Sequence, residues 1–286
     1  MSTLLVTGAS GQLGQLVLSH LKATNGHKVI AATRDPSKLS DSGFEARAAD
    51  FDKPDTLKAA FEGVDRLLLI STDSIDEKGK RLRQHTAAIT AAKAAGVKHI
   101  IYTSLPNPVP ESALTLAPDH YGTEQAIIGS GLDYTILRNN WYTQNLLDGL
   151  AQALSSGQWF TATAGGKVAY VTREDCAATA AAVLLNPPAP RAIYELTGPE
   201  ALSYADIARI ATEVTGKPID LIEISDEQLH GGLTQAGLPG FVADMLVSFE
   251  KAVRQNELSA VTDAVKTLTG HNPVSARDSL AQALKA

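Results

Sequence analysis

The chain has 286 residues, 44% of them hydrophobic and 20% charged, with a formal net charge of −6. That length suffices for one elaborated α/β domain or two modest ones, and the balanced charge excludes a disordered chain and a basic nucleic-acid surface. The single cysteine, Cys176, excludes an internal disulfide and a cysteine-based metal cluster, and its setting in "REDCAATAAAVLL" reads as a packed helix with an inert thiol.

Strand and helix signals alternate from the start. "MSTLLVTGAS" opens with a strand rather than a signal peptide, and "QLGQLVLSHLKA" follows with helical period. "HKVIAATR" is a second strand, "SKLSDSG" a short connection or helical turn, and "FEARAADF" a third strand. "PDTLKAAFEGV" is a helix opened by Pro-Asp, for which Asp52 is the expected N-cap. "DRLLLIST" is a fully apolar strand, and "KRLRQHTAAITAAKAAGV" a long alanine-rich helix closed by Gly96. "KHIIYTSL" and "GLDYTILRNN" are further strands, with the helix starting at "DHYGTEQAI" between them. Buried apolar strands separated by helices predict an α/β, Rossmann-like doubly wound parallel sheet. After about residue 145 the pattern loosens. "LLDGLAQALSSG" is helical, "KVAYVTREDCAATAAAVLL" and "RAIYELTGPEALSYADIARIATEVTGKPI" are each strand then helix, and residues 226–258 are helical with one apolar side. The expected division is a dinucleotide-binding Rossmann domain over 1–150, to which 166–198 return, and a smaller, mainly helical substrate lobe over 199–286. No stretch approaches the ~20 apolar residues of a membrane span. A cytoplasmic protein without membrane or nucleic-acid partners is expected, and the apolar helical lobe permits a homodimer.

The strongest local signal is "VTGASGQLG". Gly8, Gly11 and Gly14 sit between a predicted strand and a predicted helix, the context that makes a glycine triplet a dinucleotide fingerprint. Gly8 makes the tight turn, Gly11 lets the backbone approach a pyrophosphate, and Gly14 lets the helix pack on the strand. Ser10, Gln12 and Leu13 complete the loop, whose free N–H groups and helix dipole favour phosphate. About 20 residues on, where an NAD enzyme keeps an acidic residue for the ribose, stands Arg34. A guanidinium there suits a 2′-phosphate, with Lys38 adding a second charge, so NADPH is preferred over NADH. Asp35 either caps the following turn or repels that phosphate, and Arg34 read blandly is a solvated loop cation. Asp50 and Phe51, ending the third strand, are placed beside the adenine.

Ligands of such folds bind beyond the carboxyl ends of the strands. Those ends carry Ser71 and Thr72, Thr103 and Ser104, and the run Arg138-Asn139-Asn140-Trp141-Tyr142. Ser71, Thr72, Thr103 and Asn139 are assigned to the cofactor. Ser104, Trp141 and Tyr142 are assigned to the substrate, the rings as stacking surfaces for a flat acceptor. Asn139 and Asn140 offer amides to a carboxamide or a carbonyl oxygen. The bland alternatives are an Arg138 that only pairs with a carboxylate and one aromatic that is core. Tyr121 stands where a carbonyl-reducing Rossmann enzyme keeps its proton donor, but the position four residues on is Gln125, not lysine. Without that cation a phenol of pKa about 10 is a poor acid–base group at neutral pH. His120 is the alternative donor near pH 7. The catalytic candidates are therefore His120, Tyr121 and Asn140.

The G-x-x-G-x-x-G spacing resembles the extended or atypical short-chain dehydrogenase/reductases. Together "VTGASGQLG", "TRDPSK", "GVKHIIYTS", "HYGTEQAIIGSGLDYTILRNNWYTQN" and "LTGPEALSYADIARIATEVTGKPI" resemble the NmrA-like members, most of all the bacterial NAD(P)H:quinone oxidoreductases of the short-chain dehydrogenase type and the related triphenylmethane reductases. The similarity spans nearly the whole chain. Those relatives also lack the Tyr–Lys pair. The resemblance implies NADPH, no bound flavin or metal, and direct hydride transfer to a quinone or similar conjugated electrophile. It also implies that the loop "STDSIDEKGKRLRQH", with Arg81 and Gln84, closes over the cofactor. Two alternatives stay open: an NmrA-like dinucleotide-sensing regulator without turnover, and a reductase of a dye or a phenolic ether.

Overall fold

A computed structural model describes residues 1–285. The first half alternates β1 (Ser2–Val6), α1 (Gln12–Leu21), β2 (His27–Thr33), β3 (Glu45–Ala48), α2 (Pro54–Phe61), β4 (Arg66–Leu69), α3 (Lys80–Ala94), β5 (His99–Ser104), α4 (Ala117–Ser130) and β6 (Asp133–Asn139). Then come α5 (Leu147–Ser156), β7 (Gln158–Thr161), β8 (Lys167–Val168), α6 (Arg173–Leu185), β9 (Arg191–Leu196), β10 (Leu202–Ser203) and α7 (Tyr204–Thr215). The chain ends with β11 (Asp220–Glu223), α8 (Asp226–Gln235), α9 (Gly240–Arg254), α10 (Ala264–Thr269) and α11 (Ala276–Lys285).

Seven strands form one parallel sheet in the order β3-β2-β1-β4-β5-β6-β9. This is the doubly wound sheet expected from the alternation. Its order reverses between β1 and β4, which opens a crevice at their carboxyl ends. The central strands are apolar on both faces because helices cover both. One face carries α1, α6 and α10 over Leu4, Val6, Leu68 and Leu137. The other carries α2, α3 and α4 over Leu5, Leu67, Leu69 and Ile100. Each such leucine or isoleucine, buried completely, stabilises the fold by ~2 kcal/mol.

The lobe has its own core, in which Leu150, Trp159, Tyr170, Ile207, Phe249 and Leu280 meet. Its helix starts are well specified: α7 and α8 both begin with capping boxes, at Ser203/Asp206 and Ser225/Gln228. Two findings depart from the expected division. Leu114, Ala117, Leu146 and Leu150, together with Val168 and Tyr170, pack with the lobe rather than with the sheet. In the other direction Ala264 and Val265 of α10 pack into the sheet's core beside α6. Among the described residues no helix is long and apolar enough to cross a membrane.

Candidate functional site

The glycine loop between β1 and α1 is shaped by sterics at two positions. Gly8 has φ +58°, a left-handed conformation that disfavours side chains. At Gly14 a Cβ would lie 2.3 Å from the Gly8 carbonyl oxygen and 2.8 Å from Ala9 Cα, so only glycine lets α1 sit this close to the loop. Gly11 precedes α1 and provides no side-chain cap, which leaves the first-turn N–H groups for a ligand. Ser10 Oγ meets Thr33 Oγ1 at 2.7 Å and ties the loop to β2.

This loop forms one wall of a cavity running across the carboxyl ends of β1 to β4. Of the residues assigned to a cofactor, Gly8, Ser10, Gly11, Gln12, Leu13, Gly14, Arg34, Asp50, Phe51, Ser71 and Thr72 all line it. Arg34 is exposed at its edge. Asp35 does not oppose it: its carboxylate accepts from Ser37 N–H at 3.1 Å and Ser37 Oγ at 2.6 Å, capping the turn Pro36–Leu39. Those bonds from Ser37 hold the Asp35 carboxyl below its usual range. Lys38 lies on that turn, exposed and outside the cavity lining. Thr103 and Asn139 also lie outside it; Thr103 Oγ1 instead accepts from Ser71 N–H at 2.9 Å, tying the ends of β4 and β5 together.

Asp52 does not cap α2 as expected. Lys53 takes the cap position, without a side-chain bond. Asp52 Oδ1 accepts from Gln84 Nε2 at 3.0 Å, a bond that crosses from the β3 end to α3, and both residues line the cavity. Sequence reading missed this pairing because 32 residues separate the partners and neither position is unusual for its element. Ile70, Asp73 and Ser74 complete the wall beyond β4.

The residues assigned to chemistry and substrate do not gather around this cavity; most are occupied by the protein itself. Ser104 Oγ donates to Glu124 Oε1 at 2.6 Å. The buried Glu124 carboxylate in turn takes Nε and Nη2 of Arg138, at 3.0 and 2.7 Å, and Arg138 Nη1 reaches Glu195 at 2.9 Å. These bonds, Glu124 first, push the Arg138 guanidinium up. Asn140 spends both ends of its amide: Nδ2 donates to the Leu258 carbonyl and Oδ1 accepts from Trp141 N–H. Trp141 stacks on Phe249 with centroids 3.9 Å apart. Tyr142 takes Asn139 Nδ2 on its hydroxyl at 2.9 Å, with Arg173 4.9 Å from its ring centroid. So each ring already has one face or its hydroxyl engaged by the protein, and the amide of Asn140 is a structural tie.

His120 lies outside the cavity lining, with both ring nitrogens turned onto the protein. It is 4% exposed, with Nε2 3.2 Å from Arg81 Nη1 and Nδ1 2.7 Å from the Tyr102 hydroxyl. Burial, reinforced by the Arg81 charge, drives its pKa well below the usual value, so the ring is neutral. Tyr121 is half-buried on α4, and Gln125, one turn on, is exposed and uncharged. The helix itself starts at Ala117, slightly before the "DHYGTEQ" run.

The NAD(P)H-binding family profile matches residues 8–187. Over 270 residues the chain is 37% identical to quinone oxidoreductase 2 of Escherichia coli (strain K12), covering 93% of each. It is 31% identical to the NAD(P)H azoreductase of Xenophilus azovorans over 271 residues, again 93% of each. The crystal structure of the E. coli NADPH-dependent quinone oxidoreductase complexed with NADPH superposes with a TM-score of 0.92 at 36% identity, over 98% of this chain and 99% of that one. Triphenylmethane reductase of Citrobacter sp. also gives 0.92, at 35% identity, over 99% of this chain and 100% of that one. Profile, identity and superposition agree that the chain belongs to the NAD(P)H-binding family, among the NmrA-like atypical short-chain dehydrogenase/reductases.

Proposed function

We propose that the protein is an NADPH-dependent oxidoreductase that transfers a hydride directly to a quinone or a similar conjugated electrophile, without a flavin. The observation that carries this is the cavity: a glycine cradle a Cβ would fill, an uncapped helix N-terminus beside it, and Arg34 exposed at the edge while Asp35 is turned onto Ser37. The first two suit a pyrophosphate, and the third suits a 2′-phosphate rather than a free ribose hydroxyl. The relatives named for quinone, azo-dye and triphenylmethane reduction support the acceptor class.

Reduced nicotinamide, when bound, supplies the hydride. The chain's own contribution is binding and orientation. Gly8 and Gly11 would cradle the pyrophosphate, with Gly14 letting α1 approach it, Arg34 would select the phosphorylated dinucleotide, and Asp50 and Phe51 would flank the adenine. Ser71 and Thr72 form the opposite wall. With His120 held neutral and Asn140 engaged, no strong acid faces the acceptor, and the proton that completes reduction comes from solvent. A quinone tolerates this because two-electron reduction aromatises its ring and the product oxygen is far less basic than an alkoxide. Positioning then supplies most of the rate.

The test is NADPH oxidation followed at 340 nm with 1,4-benzoquinone, beside NADH and beside Arg34→Ala. Turnover favouring NADPH, with that preference reduced at least about tenfold in Arg34→Ala, is expected. Tight NADPH binding with no turnover on quinones or dyes would replace this reading with that of a dinucleotide sensor.

A further inference from the structure

Three successive amides leave β4 along the cavity wall, and each is fastened by a side chain from a different element. Ile70 N–H donates to Thr7 Oγ1 at 3.0 Å, Ser71 N–H to Thr103 Oγ1 at 2.9 Å, and Thr72 N–H to His85 Nε2 at 3.0 Å. From Asp73 to Gly79 the chain has no helix or strand, so His85 is the last of these fasteners before α3.

The His85 bond depends on a tautomer, and the surroundings dictate which. A backbone amide only donates, so Nε2 carries the lone pair and the ring proton is on Nδ1. That Nδ1 faces Thr123 Oγ1 at 3.0 Å, and the threonine hydroxyl gives its own proton to the Asp119 carbonyl at 2.7 Å. His120 repeats the logic. Arg81 Nη1 only donates, so His120 Nε2 accepts and its Nδ1–H points to the Tyr102 hydroxyl, which lies 3.4 Å from His85 Nδ1. Arg81, His85, Tyr102 and His120 are all at most 5% exposed, so water does not compete for these bonds. Burial, then the Arg81 charge, pushes His85 down to about 3, which keeps its lone pair available to Thr72 across the neutral range.

We propose that His85 is a positioning residue for NAD(P)H: its Nε2 lone pair fixes the Thr72 amide and with it the wall of the dinucleotide cavity, while Thr123, whose hydroxyl proton is committed to Asp119, accepts from Nδ1–H and selects the tautomer. This rests on reading the cavity as the dinucleotide site. Leucine at this position removes the acceptor and leaves the Thr72 N–H unpaired, whereas glutamine offers Oε1 at similar reach. Without its anchor the wall samples arrangements that do not bind, and affinity falls by the fraction of time it does so.

The experiment titrates NADPH calorimetrically into the wild-type protein, His85→Leu and His85→Gln, with thermal melts of each, and records steady-state kinetics for all three. His85→Leu is expected to weaken NADPH binding about tenfold and to raise its KM to match, with kcat at saturating cofactor changed less than about threefold. His85→Gln is expected to stay within about threefold of wild type in affinity. Leucine without effect, or glutamine as impaired as leucine, overturns the proposal. Failure of the wild type to bind NADPH overturns the dinucleotide reading instead. Long-range ¹H–¹⁵N spectra of the histidine-labelled wild type keep the test independent of how the variants fold. Neutral rings protonated at Nδ1 are expected for His85 and His120 at pH 7; a proton on His85 Nε2 overturns the proposal.

Discussion

Lowering the pH from 7 to 5 should destabilise this fold through its buried histidines before its carboxylate pairs are lost. His85 is held down to about 3, by burial and then by Arg81. His99, 6% exposed at the start of β5 and bonded to Thr135 Oγ1, is held at about 4, chiefly by burial. In the unfolded chain both return to about 6.5. Above that value both states are neutral and neither ring contributes. As pH falls below it, the unfolded chain takes up a proton that the folded one refuses, so stability drops steadily until the folded pKa is reached. At pH 5 each ring makes unfolding consume nearly one proton, a slope of about 1.4 kcal/mol per pH unit. Integrated from pH 7 to pH 5, each ring removes about 2 kcal/mol, a large share of a typical stability of about 5–15 kcal/mol. Glu250, Glu195 and Asp119, raised chiefly by burial, act in the opposite direction on acidification, so the assay is differential. Urea unfolding of the wild type and of His99→Gln at both pH values isolates one ring. The variant should lose about 2 kcal/mol less than wild type over the interval. Equal losses in the two proteins would refute the claim that a neutral, buried imidazole at this position sets the acid response.

Gly14→Ala places its methyl against the Gly8 carbonyl and should cost about 2 kcal/mol or more while abolishing NADPH binding; unchanged melting and unchanged titration would contradict the contact. Tyr121→Phe should keep kcat within about threefold, because no neighbouring cation activates the phenol, and a loss of ~100-fold would make it the acid–base group after all. Glu124→Ala strands a half-buried Arg138 and the Ser104 hydroxyl, and should lower urea stability by about 3 kcal/mol.

Features built from neighbouring residues were legible in the sequence. The glycine triplet, Arg34 opposite it, the Asp35 turn and the apolar strands all express themselves within a few residues, through backbone sterics, capping and periodicity. What stayed hidden depends on distant partners. Trp141 reads as a free ring until Phe249, far along the chain, is seen to cover it. Asn140 reads as an active-site amide until Leu258 takes its donor. His120 reads as a proton donor because its ordinary pKa is near neutral; only its burial in the fold, reinforced by the guanidinium of Arg81 from a different helix, pushes it down. His85 lies on the buried face of α3 among alanines, and nothing in the helical period distinguishes a polar fastener from a core position. The run of strand-end residues was found, but not which of them face the cavity.

The path of the chain between its two cores has a mechanical meaning. It leaves the sheet after β5, returns along α4, leaves again after β6, returns before α6, leaves after β9, returns before α10 and departs once more into α11. Two lines cross near Leu258, whose carbonyl receives both Asn140 Nδ2 and Ala169 N–H. A part held by one linker can swing like a door; a part stitched by seven passages has no common pivot about which all of them stay relaxed. A swing of one core against the other would strain all of these passages at once, so the two cores are held together as one body.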